Sequence, residues 1–207
     1  MRQLTDDWQE RYLNGDVPWE DPTPWPSLER TFARFVKKGV RVLDVGCGLG
    51  INTIHLAELG YEVIGIDISE LAIARATQRG TPSGCQFRVL DFMEDVFTGV
   101  DAVFDRGCFH SFSDAAGRKS FANRAFAALR VDGLWINVSG SAENGESSEE
   151  IQEMKLPRLG LRDIAEAVEQ FFQVVEIQRA PFGTSAGKTD FDAFVSVLRR
   201  RRVPVAG

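Results

Sequence analysis

With 207 residues, 43% of them hydrophobic, the chain is long enough for one α/β domain with a full core and short for two. Its formal net charge of −6 excludes a broad phosphate-binding face, so no nucleic-acid partner is expected. No apolar run reaches the length of a membrane span, and MRQLTDDWQERY is acidic where a secretory signal would be apolar; a soluble, cytoplasmic protein is expected.

The cysteines, Cys47, Cys85 and Cys108, are odd in number and lack the short spacing of a zinc site or a redox dithiol. A reducing compartment and no metal are expected. The basic cluster Arg199, Arg200, Arg201 and Arg202 is either a solvated strand end or an anion-binding edge.

In chain order, residues 4–13 form a short helix with Trp8 and Tyr12 four positions apart on one face. GDVPWEDPTPWPS follows, where four prolines forbid regular structure and Trp19 and Trp25 must still be covered. Residues 28–36 have helical periodicity and stop at Lys37-Lys38-Gly39. From residue 41 strands and helices alternate, the pattern of a parallel sheet covered on both faces. Strands are predicted at 41–45, 62–67, 86–90, 102–105 and 134–138, and helices at 51–59, 70–78 and 118–129. Residues 140–156 are polar and acidic and predict a mobile loop, followed by a helix at 161–169. Two last strands, 172–179 and 191–198, lie close enough to pair antiparallel. The expected fold is a Rossmann-like, doubly wound, mostly parallel seven-stranded sheet with a C-terminal antiparallel pair. Residues 1–39 form an N-terminal lid segment and 40–207 the main domain.

The junction VLDVGCGLG, residues 42–50, puts Gly46, Gly48 and Gly50 between a strand and a helix. Glycines there let the backbone turn tightly and touch a ligand, which the helix N-terminus faces. Asp44 stands just before them, where a carboxylate repels a pyrophosphate but suits an ammonium. The spacing is also G-x-G-x-G, not the dinucleotide form G-x-G-x-x-G. YEVIGID ends at Asp67, placed for two ribose hydroxyls, with Ile68 next to it. CQFRVL leads into Asp91-Phe92, a carboxylate for an adenine amino group beside an aromatic ring, unless Asp91 simply caps the following turn.

VLDVGCGLG, ID and LDF, in that order and spacing, resemble the class I S-adenosylmethionine-dependent methyltransferases over residues 40–200. DWQERYLNG (7–15), DISELAIA (67–74) and FDRGCFHSF (104–112) are further similar to segments of the thiopurine S-methyltransferase-like family. The resemblance implies S-adenosyl-L-methionine as cofactor, held by Asp44, Gly46, Cys47, Gly48, Gly50, Asp67, Ile68, Asp91 and Phe92. It also places Trp8 and Tyr12 in a helix over the cofactor and Arg106 at the mouth of the acceptor pocket. Trp19, Trp25 and Phe109 are expected on the substrate side, although both tryptophans can equally be packing beneath a proline-rich loop.

The implied reaction is methyl transfer to a small molecule, with a thiol, thiopurine or similar soft nucleophile expected. Arg106, permanently charged, would lower the pKa of a thiol. His110 either takes a proton or is a polar residue packed behind Arg106. An oxygen or nitrogen acceptor, and a non-catalytic S-adenosylmethionine-binding protein, are the alternatives. A nucleic-acid methyltransferase is disfavoured because DRGC stands where an Asp/Asn-Pro-Pro-aromatic motif would be, and Asp44 disfavours a dehydrogenase. Monomer and homodimer both remain open.

Overall fold

The computed structural model describes residues 2–17, 19–143, 158–183 and 192–203. Two helices, α1 (Arg2–Asn14) and α2 (Leu28–Phe35), precede the sheet. Then follow β1 (Arg41–Val45), α3 (Ile51–Glu58), β2 (Glu62–Asp67), α4 (Glu70–Arg79), β3 (Cys85–Val89) and β4 (Val100–Arg106). The chain continues through α5 (Ala115–Ala128), β5 (Leu129–Gly140), α6 (Leu161–Val168), β6 (Phe172–Pro181) and β7 (Asp192–Arg200). The seven strands lie in the order β3-β2-β1-β4-β5-β7-β6. The first five pair parallel, and β7 pairs antiparallel with both β5 and β6.

Strand alternation sends neighbouring residues to opposite faces. Val42, Ala102, Phe104, Ile136 and Val138 pack on one side with Leu28, Phe32 and Leu56. Leu43, Val45, Val103 and Trp135 pack on the other with Phe109, Phe121 and Ile164. Successive strands run outward one way from β1 to β3 and the other way from β4 onward. The crevice at the carboxyl ends of β1 and β4 is therefore the topological switch point, where open α/β sheets bind ligands.

Three departures from expectation have local causes. Helix α5 begins at Ala115, three residues early, because Asp114 caps it by accepting from the Gly117 amide at 2.8 Å. Strand β5 starts at Leu129, with a register shift against β4 before it settles at Leu134. At its other end the backbone runs on, and Ser141 bridges Leu159 where a loop was predicted; the remainder of that predicted loop, 144–156, lies outside the described residues.

The expected boundary at residue 39 is not a break in packing. Trp25 stacks on Phe104 with ring centres 6.4 Å apart, and Phe32 meets the same ring edge-on at 5.7 Å. Residues 25–36 therefore belong to the main core. Three of the four residues in the basic cluster are engaged within the chain: Arg200 donates to the Phe126 carbonyl, Arg201 to those of Glu169 and Phe172, and Arg202 pairs with Asp132. Among the described residues no helix is long and apolar enough to cross a membrane.

Candidate active site

The site is built on the turn between β1 and α3. Gly48 has φ +54, and a Cβ there would lie 2.3 Å from Glu20 Oε1 and 2.8 Å from the Tyr12 hydroxyl. Gly50 has φ +77, and a Cβ there would strike the Phe87 ring at 2.5 Å. The first glycine is needed for close approach from above, the second for packing of the loop on its neighbours.

Asp67 ends β2 with its carboxylate against this loop. Its two oxygens are divided between the Gly48 amide at 3.0 Å and the Ser69 amide at 2.9 Å. Burial raises its pKa, and these amides pull it back. Asp44 is only 3% exposed and accepts from Thr53 Oγ1 of α3 at 2.6 Å. Burial pushes its pKa up to about 7, against the Thr53 bond and reinforced by Asp105 and Asp67. Asp44 thus lines the crevice and Asp67 backs its glycine loop, two desolvated carboxylates in a setting that favours a cationic ligand.

The N-terminal segment covers this crevice. Gln9 of α1 accepts from Ser69 Oγ at 2.6 Å and from the Leu71 amide at 3.3 Å, and Arg75 donates to the Tyr12 carbonyl at 2.9 Å. Trp8 meets Trp19 edge-on at 5.3 Å, and the Arg11 guanidinium lies 4.2 Å from the Trp19 ring centre. Trp19, Glu20, Asp21 and Thr23 then close over Asp44, Gly46, Cys47, Gly48, Ile51, Asn52 and Arg106 around a cavity of about 30 Å³. That is room for about one water, whereas small-molecule pockets occupy about 300–1,000 Å³.

Arg106, at the end of β4, ties this cover to the far side of the sheet. It donates to the Phe182 carbonyl at 2.9 Å and to the Trp19 carbonyl at 3.1 Å, and lies 4.6 Å from the Phe182 ring centre.

The structure thus brings Trp8, Tyr12, Trp19, Asp44, Gly46, Cys47, Gly48, Asp67 and Arg106 into or against one crevice. Other expected residues lie elsewhere. His110 is corrected from proton acceptor to structural group: it is 3% exposed, stacks on Phe182 at 5.5 Å, and its Nδ1 accepts from the Gly140 amide at 2.9 Å. Burial, with the Arg106 charge nearby, lowers its pKa to about 3, so it is neutral at working pH and its Nδ1 is engaged. Phe109 is fully buried between Phe121 and Trp135, away from the crevice. Trp25 faces the core and donates its indole N–H to the Pro181 carbonyl, so the packing reading holds for it. Asp91 accepts from the Met93 amide at 2.8 Å, the capping contact, and Phe92 packs on Phe121 at 5.0 Å. Ile68 is half-buried beside Asp67.

Two carboxylates were missed by sequence reasoning. Glu20 accepts from the Leu49 amide and the Tyr12 hydroxyl, both at 3.2 Å. Asp105, fully buried at the end of β4, accepts from the Phe109 amide, Trp135 Nε1 and Asn137 Nδ2 at 2.8–3.2 Å. The acidic residue in the Asp-Arg-Gly motif was the available signal for Asp105; nothing in the sequence marks Glu20.

Residues 42–133 match the family model for a methyltransferase domain. An uncharacterized methyltransferase of Schizosaccharomyces pombe is 47% identical over 74 residues, 34% of this chain and 51% of that protein. The chain therefore spans about half the length of that relative. A probable thiol methyltransferase of Arabidopsis thaliana is 28% identical over 138 residues, 63% of this chain and 60% of that one. Among solved structures, the 1,6-didemethyltoxoflavin-N1-methyltransferase of Burkholderia thailandensis, with bound S-adenosylhomocysteine, superposes with a TM-score of 0.75 at 23% identity, covering 95% of this chain and 87% of that chain. Residues 42–133 are thus similar to a methyltransferase domain, and the chain has the fold of solved S-adenosylmethionine-dependent methyltransferases.

Proposed function

We propose that this protein transfers the methyl group of S-adenosylmethionine to a small molecule bearing a soft nucleophile, a thiol foremost. The observation that carries the cofactor assignment is Asp67, poised on the Gly48 and Ser69 amides at the end of β2, with Asp44 buried under the same loop. The side-chain-free backbone at Gly48, which Glu20 and Tyr12 approach here, and two carboxylates fit a ligand with ribose hydroxyls and an ammonium, and fit a pyrophosphate poorly. Asp67 would hold the ribose, and Asp44, ionised by a facing cation, the methionyl ammonium.

S-adenosylmethionine supplies a methyl group on a sulfonium, open to in-line displacement. The protein's part is alignment and exclusion of water. Arg106 keeps its charge beside the cavity while its N–H groups hold the Trp19 and Phe182 carbonyls. A permanent cation there favours a thiolate over a thiol without needing a general base. His110, buried and with its Nδ1 engaged, does not serve as a base at the cavity. Likeness to the Arabidopsis thiol methyltransferase supports the same acceptor class. The N-terminal segment that precedes Trp25 acts as a lid, closing over the cofactor and completing the acceptor pocket.

Formation of S-adenosylhomocysteine should be measured against thiols, thiopurines, halides, phenols and amines. Turnover highest with a thiol or thiopurine is expected. Turnover confined to amines or phenols would overturn the acceptor class. Cofactor binding with no turnover on any of them would favour a non-catalytic S-adenosylmethionine-binding role.

A further inference from the structure

Glu20 occupies the glycine loop in the way a ligand would. Its Oε1 takes the Leu49 N–H at 3.2 Å and sits 2.3 Å from where a Gly48 Cβ would be, directly on the cradle those glycines open. The Tyr12 hydroxyl donates to the same oxygen at 3.2 Å. Its neighbour Trp19 is bolted to Arg106 through its carbonyl at 3.1 Å. Asp67 repels its carboxylate and Arg106 attracts it.

The segment that carries Glu20 is built as a tethered strap. Upstream, the Asp16 amide returns to the Arg11 carbonyl at 3.0 Å after Gly15 reverses the chain at φ +71. Downstream, the Trp25 amide is held by Asn52 Oδ1 at 2.9 Å. Between them Asp21 Oδ1 takes both the amide and the hydroxyl of Thr23, at 2.8 and 2.6 Å, which stiffens the turn. A cavity of about 30 Å³ admits no nucleoside, and a ligand that takes the Leu49 amide or the face of Gly48 must displace Glu20.

We infer that Glu20 is an internal competitor for the cofactor: it latches the strap onto the Leu49 amide, and S-adenosylmethionine binds only as that latch opens. The inference rests on the cofactor reading above. It makes binding a two-step event, strap opening followed by docking, in which the competent fraction scales the apparent affinity. Glu20 thereby holds ground against the product as well as the substrate, since either must displace the same carboxylate.

The test uses the full chain, with S-adenosylhomocysteine as probe, by isothermal titration and by stopped-flow tryptophan fluorescence reporting on Trp8 and Trp19. Relative to the unaltered protein, Glu20→Ala should bind about tenfold tighter, the size expected for removing a charge-assisted hydrogen bond from the closed state. The observed binding rate of the unaltered protein should level off at high probe concentration, at a ceiling that Glu20→Ala raises. Glu20→Gln, which keeps an acceptor oxygen on the Leu49 amide but loses the charge, should fall between the two and guards against misfolding of the alanine variant. Equal or weaker binding by both variants, with the unaltered protein binding normally, overturns the latch and leaves the cofactor reading intact. Binding seen in Glu20→Ala but undetectable in the unaltered protein supports the latch in its tightest form. No binding by any of the three overturns the cofactor reading itself, and the latch with it.

Discussion

At the scale of single residues, carboxylates at strand ends divide by what they hold. Asp67 holds the Gly48 and Ser69 amides against the loop that lines the crevice, so its loss should weaken ligand binding more than folding. Asp67→Ala is expected to lower S-adenosylhomocysteine affinity by about 1–3 kcal/mol, roughly 5- to 150-fold, the loss of a charged acceptor for hydroxyls. Isothermal titration checks this, and unchanged affinity would sink the ribose assignment. Asp105 is the opposite case. It is buried among Trp135, Asn137 and the Phe109 amide, and its pKa rises to about 6 because burial outweighs those donors. Asp105→Ala leaves three buried donors without an acceptor and should cost about 3–5 kcal/mol of stability, read as a fall in the chemical-denaturation midpoint. A variant as stable as the parent would show that water replaces the carboxylate there.

At the scale of elements, the N-terminal region has two parts with different duties. Helix α1 rests on α4 through Gln9 and Arg75 and touches the crevice through Tyr12. Helix α2 and the preceding Trp25 are in the core, beside Phe104. Deleting residues 1–15 should therefore leave a cooperative thermal transition but remove methyl transfer. Deleting residues 1–26 also removes the Trp25 ring, and a buried tryptophan lost to nothing costs about 3–5 kcal/mol, so this longer deletion should lower the melting temperature sharply. Normal turnover in the shorter deletion would show that α1 is packing and not a lid.

At the scale of the whole molecule, buried titratable groups give stability a pH dependence that can be apportioned. Asp44 has its pKa raised to about 7 and Asp105 to about 6, from about 3.9 in an unfolded chain. The folded state then binds more protons than the unfolded between those values, so these two contributions are complete near pH 4 and are lost as pH rises through about 6 and about 7. His110 opposes them: lowered to about 3 from about 6.5, it removes stability as pH falls below about 6.5. Net stability of the ligand-free protein should rise modestly from pH 8 to 5, because two carboxylates outweigh one imidazole. Asp44→Asn keeps an acceptor for Thr53 and removes one titration. Its melting temperature relative to the parent should therefore climb with pH between about 4 and 7, even as cofactor affinity falls. A constant difference across that range would show that Asp44 titrates normally.

The sequence by itself determined the sheet, its strand-helix alternation and the loop of Gly46, Gly48 and Gly50 with Asp44 and Asp67. These are local: a period of two or 3.6, a glycine where backbone must turn, and an acid at a strand end are each set within a few residues. Tertiary structure alone decided which polar groups meet. Gln9 reaches Ser69 across 60 positions, Glu20 reaches Leu49 across 29, and Asp105 gathers donors from 30 and 32 positions away. It also decided that Trp19 goes to the crevice and Trp25 to the core, though both lie in one proline-rich stretch. The same holds for His110, whose ring is fixed by the Gly140 amide and Phe182. No periodicity encodes such choices, because burial and pairing depend on which surfaces the folded sheet brings within a few ångströms.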